Sequence, residues 1–170
     1  MNPVVTVGVV FLVMVTIGAP TIAAGQQVVF LMRHPETLRA VSEADADPPL
    51  AEAGHRRAGI LAGHLKDAGI SAIYVTDTQR TRQTAEPTAK ALGIELRVVG
   101  RQEIESLVAR VRAEQPQGRV LIVNHALNVP GLLKAFGHPE GIRVALDDFE
   151  PFFIIVPRSA GPPLVVFLRL

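Results

Sequence analysis

The sequence predicts an α/β fold, a three-layer α/β/α sandwich around a mostly parallel sheet. Short β-branched runs such as "VVFLM" (28–32) and "RVLIV" (119–123) alternate with longer stretches that carry apolar residues at helical spacing. Apart from Arg119 at the start of the second, these runs are apolar rather than alternating, the pattern of strands covered on both faces. No internal repeat and no linker divides the chain, so a single domain is expected over residues 25–170.

In chain order, Val28–Met32 reads as a buried strand. Residues 38–49 hold Glu43, Asp45 and Asp47 and end in Pro48-Pro49, an exposed loop. Ala51–Ala68 places Ala58, Leu61, Ala62 and Leu65 on one helical face, with Gly69 as a C-terminal stop. Ser71–Val75 is the next strand. Arg80–Leu92 is a helix closed by Gly93, in which Pro87 predicts a kink or a late start. Glu95–Val99 follows as a strand, and Gln102–Glu114 as a helix with Ile104, Leu107, Val108 and Val111 on one face. Arg119–Val123 is the most strand-like run. A short helix around Pro130–Phe136 precedes two closing strands, Phe152–Val156 and Leu164–Leu168, joined by the turn "PRSAGPP".

Residues 1–24 stand apart. They carry no charged side chain, and the apolar stretch from Val4 to Ile17 gives way to Gly18, Pro20 and small residues. That is the layout of a secretory signal peptide, with cleavage after Ala23 or Ala24. Left uncut, residues 3–24 are just long enough for a membrane anchor. The expectation is an exported protein, periplasmic or secreted, with contact to a membrane only through an uncleaved N-terminal segment.

Composition narrows the function. Apolar residues make up 48% of the chain and charged residues 19%, which is globular rather than disordered. Lys and Arg number 17 against 16 Asp and Glu, a net charge of +1 without the basic excess of nucleic-acid binders. The sequence has no cysteine, which excludes disulfides and thiolate metal sites, and its five histidines form no recognised metal-ligand spacing.

In a parallel sheet, sites form at the C-terminal ends of the strands. Three such ends here carry "RHP", "TDTQR" and "NHALN". Arg33, His34, Arg80 and His125 together make a pocket for a dianionic phosphate. Guanidinium forks match phosphate oxygens, and a neutral imidazole is a competent nucleophile toward phosphorus. The scheme needs no metal or other cofactor. Asn124 and Asn128 flank His125 and could orient its ring or touch substrate.

The segments "FLMRHPET", "LAEAGHRRAGILAGHL", "IYVTDTQRTRQTAEPTAKALGI" and "VLIVNHALNVPGLL" resemble, in order, the histidine phosphatase superfamily with its phosphoglycerate mutase-like fold. The resemblance covers roughly residues 27–168. It implies that His34 is the nucleophile that becomes phosphorylated and that Arg33, Arg80 and His125 hold the phosphoryl group. Thr84 and Ala85 match the helix signature after the second arginine. The general acid varies in this family: Glu103 falls about where the mutase-like glutamate would, with Glu105, Glu36 or no acid as alternatives. Pro35 stands where the family usually has glycine, and Thr76-Asp77 where two serines are usual. Too few residues separate Arg80 from His125 for mutase-type insertions.

The implied activity is metal-independent hydrolysis of a small phosphomonoester through a phospho-His34 intermediate. The alternatives are a phosphate-binding pseudoenzyme and a protein phosphohistidine phosphatase.

Overall fold

The computed structural model describes residues 26–39, 47–140 and 142–170. The proposed signal or anchor, residues 1–24, lies outside them. Six strands form one sheet in the order β3-β2-β4-β1-β5-β6. They are β1 (Val28–Arg33), β2 (Ala72–Thr76), β3 (Leu96–Val99), β4 (Arg119–Asn124), β5 (Pro151–Val156) and β6 (Leu164–Arg169). Strands β1 to β4 are mutually parallel where they pair, and β5 and β6 extend the sheet antiparallel.

Four helices cover the faces: α1 (Glu52–Leu65), α2 (Gln79–Leu92), α3 (Ile104–Glu114) and α4 (Val129–Ala135). Strand alternation sorts the core into two layers. Phe30 and Met32 of β1 and Leu121 and Val123 of β4 pack with Leu61 and Leu65 of α1 and Ala85 and Ala89 of α2. Val29, Leu31, Val120 and Ile122 pack on the opposite face with Leu107, Val108 and Val111 of α3 and Leu132 and Leu133 of α4. The three layers expected from the sequence are therefore present, at nearly the expected boundaries.

Pro87 does not delay α2, which runs unbroken from Gln79 to Leu92 around it. The proline lies on the half-exposed side while Thr84, Ala85, Thr88 and Ala89 hold the buried side, so packing offsets the one lost backbone bond.

The topology creates a crevice. The chain leaving β1 runs on to α1 on one face, whereas the chain leaving β4 enters α4 on the other. Neighbouring strands whose connections part to opposite faces open a cleft at their C-terminal ends. In the β1/β4 register Arg33 sits opposite Asn124, so His34 and His125 leave the sheet side by side. Val75 pairs with Val123, which brings Thr76 to the same level from the other flank.

Candidate active site

His34 follows the last residue of β1 and is bound into the sheet edge, its amide donating to the Asn124 carbonyl at 2.9 Å. Its Nδ1 lies 2.8 Å from the Pro35 carbonyl. A carbonyl only accepts, so Nδ1 carries the proton and Nε2 keeps its lone pair. Burial pushes the imidazole from its ordinary 6.5 down to about 4. The Pro35 carbonyl opposes this, and the charges of Arg33, Arg80 and Arg101 reinforce it.

His125 stands edge-on to His34, with ring centroids 5.3 Å apart and planes at 68°. Its Nε2 is 2.9 Å from the Thr76 hydroxyl, which belongs to a buried cluster with Thr78 and Thr81. Burial again dominates its protonation, lowering it to about 3, with Arg101, Arg80, His34 and Arg33 acting the same way. Both rings are neutral at physiological pH.

Arg33 is 5% exposed and rigidly mounted. One of its Nη atoms donates to the carbonyls of Ala145, Leu146 and Asp148 at 3.0, 2.8 and 2.9 Å, and its guanidinium lies 4.0 Å from the centre of the Phe149 ring. Phe149 is half-buried and serves as a platform for Arg33. The Arg33 Nε is buried with no partner among the described residues. Arg80, in the first turn of α2, is 6% exposed and pairs with Asp47 at 2.9 Å. Asp47 also accepts from the Gln79 amide at 2.8 Å, which caps α2 from outside.

Four of the residues picked from the sequence therefore converge: Arg33, His34, Arg80 and His125. Asn124 is 2% exposed, and its Oδ1 accepts from the His125 amide and from Asn128 Nδ2, both at 2.9 Å. It shapes the turn that presents His125. Glu103 occupies the position just before α3, with its carboxylate against Gly100 and Ser106. Glu105 lines the same surface hollow beside α3. Glu36 pairs with Arg57 at 3.0 Å.

Three participants were missed. Thr76 was noted only as a departure from serine. Arg101 follows the end of β3, and its charge reaches both histidines and Arg80. Its position just past a parallel strand was the signal that could have found it. Asp47 gave none, being one of several acids in a polar loop. Among the described residues no three His, Asp or Glu side chains gather in a way that would hold a metal ion.

Residues 29–103 match the profile of the histidine phosphatase superfamily (branch 1), a span that includes Arg33, His34 and Arg80. Over that span the chain resembles the histidine phosphatase superfamily. His125 lies beyond the match, and it is the β1/β4 register that adds it to the superfamily's Arg-His pair. The chain is 38% identical over 71 residues to the probable phosphoglycerate mutase GpmB of Yersinia enterocolitica, covering 40% of this chain and 33% of that one. It thus spans about a third of the length of the curated relatives it matches. Among solved structures it resembles the protein histidine phosphatase SixA complexed with tungstate, with a TM-score of 0.68 at 21% identity over 84% of this chain and 96% of that chain. It also resembles a mycobacterial glucosyl-3-phosphoglycerate phosphatase, with a TM-score of 0.60 at 15% identity over 76% and 89% of the two chains. At these identities the structural likeness speaks for the histidine phosphatase fold. Phosphoryl-transfer enzymes, phosphatases or mutases, are the common ground of all these relatives.

Proposed function

We propose that this protein is a metal-independent phosphatase that hydrolyses small phosphomonoesters through a phosphohistidine on His34, and that it works after export. The observation that carries this reading is the Nδ1 contact of His34 with the Pro35 carbonyl, which leaves Nε2 as a neutral nucleophile beside His125 and three arginines.

The reaction follows from these groups. The phosphate dianion enters between Arg33, Arg80 and Arg101, which spread the charge of the transferring group. His34 Nε2 attacks phosphorus, the P–O bond to the alcohol breaks, and the leaving oxygen takes a proton from solvent water. The imidazole retains its Nδ1 proton against Pro35 in the phosphoenzyme. Water then attacks phosphorus, the P–N bond breaks, and inorganic phosphate departs. His125, fixed by Thr76 and neutral, serves as a hydrogen-bonding partner of the phosphoryl oxygens. Of the acids weighed for protonating the leaving oxygen, Glu103 rests against Gly100 and Ser106, and Glu36 pairs with Arg57.

An aryl phosphate assay tests the reading, together with acid-labile labelling of the enzyme after brief exposure to substrate. Turnover and label that both vanish in His34→Ala are the expected result. Equal rates in wild type and variant would remove the enzyme.

Two observations favour a second reading, a phosphate-binding protein without turnover: Asp47 already pairs with Arg80, and Pro35 lacks the backbone N–H of the usual glycine. Binding of inorganic phosphate without any acid-labile label would favour it.

A further inference from the structure

Large apolar side chains exposed among the described residues fall into two groups. Ile60 lies in α1, Val98 in β3, and Leu164, Val166, Phe167 and Leu168 in β6. The remaining three, Leu38, Leu127 and Leu146, are on loops and are 54%, 76% and 67% exposed. All three of those loops border the phosphate pocket.

One leucine touches a site residue through its own backbone, and the other two lie a few residues past a site histidine. Leu146 presents its carbonyl to Arg33 at 2.8 Å. Leu127 sits in the turn that follows His125, closed by the Asn128 amide on the His125 carbonyl at 2.9 Å. Leu38 lies one short turn after His34, where its amide donates to Pro49 at 3.0 Å and Thr37 bridges to Leu50. All three side chains stand out in water. A single exposed leucine is ordinary. Three on separate loops around one charged cleft match the build of a ligand site, in which a few polar groups orient and apolar walls bind.

We propose that the group esterified to the phosphate is apolar, an alkyl or aryl alcohol whose carbon skeleton lies against Leu38, Leu127 and Leu146. The inference rests on the phosphatase reading and gives that reading a substrate class. In the reaction this alcohol is the leaving group, so its contacts act while the P–O bond breaks.

The test is a series of methyl, butyl and octyl phosphate, with glycerol phosphate as the polar control, all below micelle-forming concentrations. The ratio kcat/KM should rise about twofold to fourfold per added methylene over the first carbons, as partial burial of each CH2 requires. Glycerol phosphate should rank with the methyl ester. The double variant Leu127→Ser, Leu146→Ser should shrink the octyl-to-methyl ratio by about tenfold. A flat series, or one unchanged by the double variant, overturns the proposal.

Titrating the same esters onto His34→Ala by calorimetry reads the rim without turnover. If wild type hydrolyses nothing, the phosphatase reading falls, yet affinity that grows with chain length still supports an apolar ligand and constant affinity still overturns it. Sedimentation on phosphatidylglycerol vesicles, lost in the double variant and paired with a flat series, would make the leucines a membrane-docking patch and overturn the assignment.

Discussion

The Thr76 hydroxyl lies 2.9 Å from Nε2 of His125, joining the end of β2 to the turn after β4. Thr76 is fully buried, and Thr78 and Thr81 surround its oxygen, so the contact fixes the angle at which His125 meets His34. Thr76→Val keeps the shape and removes the hydroxyl. One neutral hydrogen bond is worth about 1 kcal/mol, so kcat on an aryl phosphate should drop roughly fivefold to tenfold while KM changes little. Thr76→Ser should recover most of the loss. Equal kinetics in all three proteins would show that His125 needs no support from β2.

Stability should fall on acidification through a window set by the two histidines. Their folded pKa values are about 4 and about 3, below the ordinary 6.5, so the unfolded chain binds more protons at intermediate pH. Stability therefore rises with pH across the window. It is fully present above about pH 6.5 and is lost progressively as the pH falls toward 4 and then 3. Thermal melts from pH 4 to 8 should show Tm climbing up to about pH 6.5 and levelling beyond it. In His34→Ala the climb should be shallower. A melt independent of pH in wild type would contradict neutral, buried rings.

How much of this could be read from residues alone differs by distance along the chain. "VVFLM" and "RVLIV" announce themselves because strands buried on both faces carry a purely local signal, and Gly93 closes α2 in the left-handed conformation that glycine favours. Arg33, His34, Arg80 and His125 were legible because parallel strands deliver their last residues to one edge. The support around them was not. Which hydroxyl reaches His125, or that Phe149 carries Arg33, depends on register and rotamers across β2, β4 and the loop before β5. Pro35 shows the limit most plainly. The sequence marked it as a departure from glycine, whereas the structure gives its carbonyl a task that any residue could perform.

Asp47 occupies a donor of Arg80 that the proposed phosphate would use. Its Oδ1 is 2.9 Å from the guanidinium, and a phosphate taking that donor must displace it or share it. The carboxylate is about one third exposed, so the pair is weakened by solvent and easily exchanged. Asp47→Asn removes the competing charge and keeps an acceptor for the Gln79 amide. Inhibition by inorganic phosphate should then tighten by about threefold to tenfold, the range for one charge-assisted contact that is partly screened. Weaker phosphate inhibition in the variant would mean that Asp47 holds Arg80 in its working position.

Gly54 sets how closely α1 approaches the turn after His34. A Cβ built there would lie 2.2 Å from the Glu36 carbonyl oxygen and 3.3 Å from the Leu50 Cβ. The same Glu36 carbonyl accepts the Ala51 amide at 2.9 Å, so it cannot retreat without breaking the bond that leads into the helix. Glu36 is also joined directly to Pro35, whose carbonyl selects the His34 tautomer. Gly54→Ala should therefore lower stability by about 1–3 kcal/mol, the usual cost of overpacking, and lower kcat through a displaced Pro35 carbonyl. The same helix supplies the controls. Gly59 and Gly63 are exposed and have nothing within 4 Å of an added Cβ. There an alanine should act through helix propensity alone and raise stability by about 0.5–1 kcal/mol. Urea titrations of the three variants, read beside their aryl phosphate kinetics, separate the two effects. A Gly54→Ala protein as stable and active as Gly63→Ala would show that the turn after His34 is free to move.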